Sequence, residues 1–402
     1  MTDVMLDGER LARAALTFLA EPADLRLGAL VTENGAAATL DAIQRGLLPD
    51  IPGPDGTAMP QHSAGRVALE RALERWRTRL AEVPTVDDLA QFFERGIRLV
   101  CPGEPEWPST LQGLGYAQPY ALWLRGNADL RFSCLRSVAV VGSRAATAYG
   151  SYVASELASS IAARGWTIVS GAAYGVDAAA HRGALGAGAA TVAVLACGVD
   201  TAYPAGHKDL LDAVAEAGVI VSEWPPGRNP TRLRFLIRNR VIAALSVGTL
   251  VVEAGERSGA LNTARHARDL GRMLMAVPGP VTSQQSAGCH RIIRDWQGTL
   301  VTNAADVLEM VGRLGSEELS ETAAESAGSI AGRRPEPVLP RDALDLESAT
   351  VLDALPVRGG IGTAAVARQA GVDLGTVVRC LGALAAGGFA ERCEGGWRVR
   401  RP

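Results

Sequence analysis

Between residues 96 and 315, short β-type runs alternate with stretches of helical length, and this alternation limits the fold more than any other feature. The runs stand at Ile97–Cys101, Ala121–Arg125, Val138–Val141, Thr167–Ser170, Val192–Leu195, Val219–Ser222, Thr249–Glu253, Met273–Val277 and Thr299–Val301. Several are near-continuous in Val, Ile, Leu and Ala. Strands apolar on both faces, with helices between them, require a parallel sheet buried between two helix layers. The expected class is therefore α/β: a doubly wound, mostly parallel Rossmann-like sheet.

The flanks differ. Residues 1–95 read as an all-α module, with helices around Leu11–Leu19, Leu25–Val31, Thr39–Arg45, Ala64–Glu82 and Thr85–Arg95 and a Pro- and Gly-rich loop at Leu48–Met59. Arg71, Arg75, Arg77 and Arg79 alternate with Glu70 and Glu74, the pattern of a solvated helix face. Residues 316–347 hold eight acids against three Arg, with three prolines, and read as an acidic flexible linker. Residues 348–402 read as helix (Ala349–Leu355), helix (Thr363–Gln369), tight turn, helix (Leu374–Ala386) and a short hairpin ending at Trp397–Val399, a winged helix.

Composition excludes several functions. Lys208 is the single lysine, so 39 of the 40 basic residues are Arg. A phosphate-binding P-loop needs Gly-Lys-Ser/Thr, and Lys208 sits in Gly-His-Lys-Asp. A Schiff-base lysine would have to be Lys208. Six cysteines stand without C-x-x-C pairs and five histidines without close pairs, so no metal site is expected. No apolar run suffices to span a membrane, and the acidic start does not read as a signal peptide, so a cytoplasmic protein is expected.

In a parallel α/β sheet, ligands bind beyond the carboxyl ends of the strands. Val138–Val141 runs into Gly142-Ser143-Arg144 and a helix start near Tyr149-Gly150, a turn suited to an anion. The loop lacks G-x-G-x-x-G, and the next strand ends in Ser170-Gly171 rather than an acid, so no NAD, FAD or other cofactor is expected. Tyr174, Gly175 and Asp177 follow, with Asp177 read as a dipole-complementing acid and His181 as its helical neighbour. Glu253–Ala264 forms a further turn through Ser258-Gly259, with Ser258 as N-cap.

The densest signal is in Asn229–Ser246. Arg232, Arg234, Arg238 and Arg240 fall within nine residues that hold no acid, with Phe235 and Asn239 among them. Arginines with an aromatic suit single-stranded nucleic acid, guanidinium on phosphate and ring on base. The competing reading pairs these arginines with acids elsewhere in the fold. No catalytic constellation stands out. Glu253 and Glu256 are the best hydrolase candidates, and they keep open an alternative, a Rossmann-like nucleotide-processing enzyme of the phosphoribohydrolase type.

Taken in order, VAVVGSRAATAYG (Val138–Gly150), SGAAYGVDAAAHRGAL (Ser170–Leu185), VAVLACGVDTAYP (Val192–Pro204), VIVSEWPPG (Val219–Gly227), FLIRNRVIAALS (Phe235–Ser246), VVEAGERSGALNTA (Val251–Ala264) and AVPGP (Ala276–Pro280) resemble the DNA-processing protein A family (DprA, also called Smf). The helical and winged-helix flanks suit it, the first being similar to a sterile-alpha-motif or helix–hairpin–helix module. The resemblance implies a non-enzymatic, homodimeric, single-stranded-DNA-binding protein that protects incoming DNA in natural transformation and loads the RecA recombinase for homologous recombination. It implies DNA contact at Gly142, Ser143, Arg144, Phe235, Arg238, Asn239 and Arg240. Tyr174 stands where the family has a basic residue, which either loses a phosphate contact or places a ring for a base. The run at Phe235 has Leu236 in place of the family's Pro, and Ala260 replaces a Ser. In the winged helix the recognition helix carries only Arg379 with Thr376, while Arg392, Arg398, Arg400 and Arg401 lie on or after the wing. Protein contact, or weak duplex contact, is expected there rather than sequence reading.

Overall fold

The computed structural model describes residues 7–47, 64–312, 345–356 and 359–400. The loop at 48–59, most of the acidic linker and Arg401 lie outside them. Met1–Gly315 form one compact unit and Ser316–Pro402 a second. No helix among the described residues is long and apolar enough to cross a membrane.

The first unit opens with α1 (Gly8–Leu19), α2 (Leu25–Asn34), α3 (Ala36–Arg45), α4 (Ala64–Thr78) and α5 (Val86–Glu94). Side chains fix the starts of three of them: Asp7 and Asp24 cap α1 and α2, and Thr85 and Asp88 form a reciprocal capping box on α5. The strands follow as β1 (Ile97–Val100), β2 (Leu122–Gly126), β3 (Ser137–Val141), β4 (Thr167–Ser170), β5 (Thr191–Val194), β6 (Val219–Ser222), β7 (Gly248–Val251), β8 (Met273–Ala276) and β9 (Thr299–Leu300). All nine expected runs are strands, within one or two residues at each end. They form one sheet in the order β1-β2-β6-β5-β4-β3-β7-β8-β9. The pairs β1–β2 and β2–β6 are antiparallel, and the others are parallel.

Helices cover both faces. Between the strands run α6 (Leu130–Leu135), α7 (Ala148–Ala162), α8 (Val176–Gly186), α9 (Lys208–Ala217), α10 (Arg232–Leu245), α11 (Ala260–Asp269) and α12 (Ala287–Asp295), and α13 (Ala304–Val311) follows β9. Alternation along β3 divides the core: Ala139 and Val141 pack with Val241, Leu245, Leu261 and Ile292 of α10, α11 and α12. Val138 and Val140 pack on the other face with Leu157, Ala180 and Val307 of α7, α8 and α13. The chain thus winds away from β3 through α7 on one face and returns through α10 and α11 on the other. β3 and β7 lie side by side where the winding reverses, the switch point at which open α/β sheets leave a crevice.

The expected break near residue 95 is not a break in packing. Ala14, Phe18 and Leu89 of the helical segment share a core with Leu99, Trp123, Ala193 and Ile220 of the sheet. Trp123 is fully buried, packs edge-on with Phe18 and Phe92, and its indole N–H donates to Thr17 Oγ1 at 3.2 Å. Burial of such a side chain contributes roughly 1.5–3 kcal/mol, so the helices and the sheet edge hold each other.

The second unit is a winged helix of α14 (Leu346–Asp353), α15 (Thr363–Ala370), α16 (Leu374–Ala386) and the hairpin β10 (Ala390–Cys393)–β11 (Gly396–Val399). Val351, Val366, Val377, Leu381 and Leu384 form its core. Its first helix begins at Leu346, inside the expected linker, because Asp345 accepts the Ser348 N–H at 2.9 Å and caps it. Arg379, the one cation of α16, is paired with Glu347 at 2.8 Å.

Candidate functional site

A crevice of about 800 Å³ opens at the β3/β7 switch point. Its walls are the turn after β3 (Gly142–Ala145), Ala173 and Asp177 after β4, the outer face of α10, and the turn after β7 (Gly255–Ala260). Of the residues singled out in the sequence, Gly142, Ser143, Arg144, Arg232, Phe235, Arg238, Asn239, Ser258 and Gly259 line it. Ser170, Gly171, Tyr174, Gly175, Arg234 and Arg240 do not.

The first turn is held tightly. Ser143 N donates to Glu253 O at 2.7 Å, joining the ends of β3 and β7. A Cβ on Gly142 would stand 2.6 Å from Val176 Cγ2 and 2.8 Å from Glu253 O, so only glycine passes there. The N-terminus of α7 is not the open anion site that the sequence suggested. Thr147 caps it through the Gly150 N–H, and the buried Glu253 carboxylate accepts from Thr147 N and Thr147 Oγ1 at 2.9 and 2.6 Å. Glu253 is itself the anion at this helix end, and both of its oxygens are engaged by Thr147. Ser258 precedes the N-cap of α11, which is Gly259, and its Oγ accepts from Ala260 N at 3.3 Å.

The basic helix divides by face. Thr231 caps α10, and Arg232 is exposed toward the crevice. Arg234 is turned away: its Nε and Nη2 donate to Glu21 at 3.1 and 2.6 Å, and Nη1 donates to Asn229 O. Arg240 is buried in a bidentate pair with Glu223 at 2.5 and 2.6 Å. Arg238 is also buried, donating to Gly171 O at 2.8 Å and to Val194 O, so it ties the ends of β4 and β5 together. Burial pulls its pKa down to about 10, and Asp177 opposes that shift. Asn239 donates to Gly259 O and Asn262 Oδ1, bracing the start of α11. For Arg234 and Arg240 the pairing reading holds, because their acids come from α1–α2 and from β6.

Buried groups behind the turns set their shape. Burial pushes the Asp177 carboxyl above its ordinary range; Arg238 and the N–H groups of Ala173 and Gly171 offset this. His181 does not pair with Asp177. Its Nδ1 lies 2.8 Å from Thr191 Oγ1, which donates its own proton to Ile168 O, so Nδ1 carries the hydrogen. Ser170 is likewise buried and donates to Val140 O at 2.6 Å.

Three exposed cations remain at the crevice, Arg144, Arg232 and Arg257, and none has an ion pair among the described residues. Arg257 and Tyr203 were not singled out by the sequence. Arg257 sits between Glu256 and Ser258, and Tyr203 lies in a loop far from the motifs at Arg144 and Phe235. The Arg144 guanidinium carbon stands 4.4 Å from the centroid of Phe235, and the Tyr203 ring lies 5.5 Å from the same ring. The crevice thus offers free guanidinium groups beside partly exposed aromatic rings, a combination suited to phosphates and bases together.

Residues 98–312 match the family model of DNA recombination-mediator protein A. The chain is 41% identical over 407 residues to the DprA-named DNA processing protein of Mycobacterium tuberculosis, covering 99% of this chain and 96% of that one. The DNA processing protein DprA of Bacillus subtilis is 35% identical over 243 residues, 60% of this chain and 79% of that one. Among solved structures, DprA of Streptococcus pneumoniae superposes with a TM-score of 0.59 at 28% identity, covering 77% of this chain and 98% of that one. The chain belongs to the DprA/Smf family of DNA-processing, recombination-mediator proteins.

Proposed function

We propose that this chain binds single-stranded DNA in the crevice between β3 and β7. One observation carries the reading: three exposed arginines without ion pairs among the described residues, Arg144, Arg232 and Arg257, line one crevice with the Phe235 and Tyr203 rings. Guanidinium groups take phosphates in a fixed fork, and a ring takes a base face whatever its identity, so binding is tolerant of sequence. Gly142, Ser143, Ser258 and Gly259 bring backbone close to the strand. Arg238, Asn239 and Arg240, with Ser170, Gly171, Gly175 and Arg234, shape the walls from within.

Family membership supports the wider role: protecting incoming DNA in natural transformation and loading RecA on it, as a homodimer in the cytoplasm. The protein works as a binder rather than a catalyst, a reading supported by the engagement of Glu253 with Thr147. The winged helix, with Arg379 paired to Glu347, suits a protein partner or weak duplex contact better than base reading.

The test is a band-shift comparison of a single strand with its duplex, followed by RecA-driven strand exchange on strands precoated with single-strand-binding protein. Preference for the single strand and faster exchange are expected. Equal affinity for the duplex overturns the crevice reading, and unchanged exchange overturns the RecA role.

A further inference from the structure

Beside the crevice, the loops after β4 and β5 present a second aromatic surface. We propose that Tyr174, with Tyr203, forms a shelf that stacks a further base of the bound single strand. The proposal rests on the reading that the crevice holds single-stranded DNA.

Tyr174 is the tip of a rigid turn. Ala172 has φ 54° and Gly175 φ 78°, and the Asp177 carboxylate accepts from Gly171 N and Ala173 N at 3.2 and 3.4 Å. The turn abuts the arginine-bearing turn after β3. Val176 N donates to Ser143 O at 3.2 Å, and any Cβ on Gly175 would collide with that same oxygen. The two turns are one piece, so a strand lying on Arg144 passes next to Tyr174.

The ring is held from behind and open in front. It packs edge-on against His207 at 4.5 Å, and His207 is buried with Nδ1 donating to Ala172 O at 3.0 Å. It also lies over Gly206, where a Cβ would stand 3.0 Å from the Tyr174 hydroxyl. Despite this support Tyr174 is 53% exposed and Tyr203, in the loop that also holds His207, is 40% exposed. Tyr203 lines the crevice and packs on Phe235, and its loop also carries Gly206 and His207, against which the Tyr174 ring rests. A preorganised ring loses little conformational freedom on binding. Both side chains are neutral, so the shelf takes a base rather than a phosphate, and it lengthens the strand that the protein holds.

Affinities for a short oligothymidylate that fills the crevice and for a longer one that passes beyond it test this. Tyr174→Ala is expected to weaken the longer strand roughly five-fold or more while leaving the shorter unchanged. Tyr174→Phe should keep the affinity of the unaltered chain for both, and Tyr174→Lys should steepen the salt dependence with the longer strand. Equal affinities of Tyr174→Ala and the unaltered chain for the longer strand overturn the shelf, as does loss with Tyr174→Phe equal to that with Tyr174→Ala. Absence of binding by the unaltered chain to either strand overturns the crevice reading instead.

Discussion

Arg144 lies over Phe235 with its guanidinium carbon 4.4 Å from the ring centroid, so cation and ring occupy each other's open side. In the proposed complex, a base stacked on Phe235 from this side would displace Arg144 and turn its charge toward the strand's phosphate. The contact is worth roughly 0.5–1 kcal/mol in an exposed site, small beside a phosphate contact plus a stacked base.

Arg144 and Phe235 are therefore coupled. Phe235→Ala is expected to cost about 1–3 kcal/mol of single-strand affinity. Arg144→Ala is expected to weaken binding as well, and, because each single variant is spared the cost of breaking the contact, the double variant should lose more than the sum, by about 0.5–1 kcal/mol. Anisotropy titrations of the four proteins measure this, and strict additivity contradicts the stacked pair.

Arg240 and Glu223 make a prediction about stability instead. Arg240→Ala leaves Glu223 buried without its partner, a loss of about 3–5 kcal/mol. Replacing both, as Arg240→Met with Glu223→Leu, should recover most of it, and the salt dependence of DNA binding should match that of the unaltered chain. Urea unfolding and a salt titration of the double variant check both parts. A flattened salt dependence would return Arg240 to the DNA-contacting set.

The sequence announced the architecture better than the charges. The runs of β3 to β8 were legible because these central strands are buried on both faces and leave nearly unbroken Val, Ile, Leu and Ala. The winged helix was legible in its turn and hairpin. The grouping of Arg232, Arg234, Arg238 and Arg240 did not disclose which of them are paired, because local absence of acids says nothing about Glu21, brought in by the helical segment, or Glu223, just after β6. Arg257 and Tyr203 were hidden for the converse reason: only the switch-point topology brings their loops to Arg144 and Phe235. The shared core around Trp123 was unreadable too, since apolar residues of α1 and α5 do not declare what covers them.

Glu253 separates binding from catalysis. Glu253→Gln weakens the hold on Thr147 and should destabilise the fold by about 1–3 kcal/mol. Incubation of the unaltered protein with nucleoside monophosphates should release no free base. Turnover abolished by Glu253→Gln would establish the phosphoribohydrolase alternative.

His181 confers an acid sensitivity. Burial holds its pKa down at about 3, against 6.5 for a free imidazole. The folded value lies below the unfolded one, so its stabilising effect is complete above about pH 6.5. It is lost as pH falls from there toward 3, by up to about 1.4 kcal/mol per unit. His181→Asn keeps a donor for Thr191 and removes the titration. Its unfolding midpoint should fall less steeply between pH 6.5 and 4 than that of the unaltered chain, and identical slopes would contradict the buried neutral ring.

The salt dependence of single-strand affinity counts the phosphates that the crevice holds. With Arg144, Arg232 and Arg257 each on one phosphate and the backbone turns holding about one more, log K against log salt should slope by roughly -2.8, at about -0.7 per contact. Arg144→Ala should reduce the slope by about 0.7. A slope near zero, or one that Arg144→Ala leaves unchanged, would contradict a strand seated in this crevice.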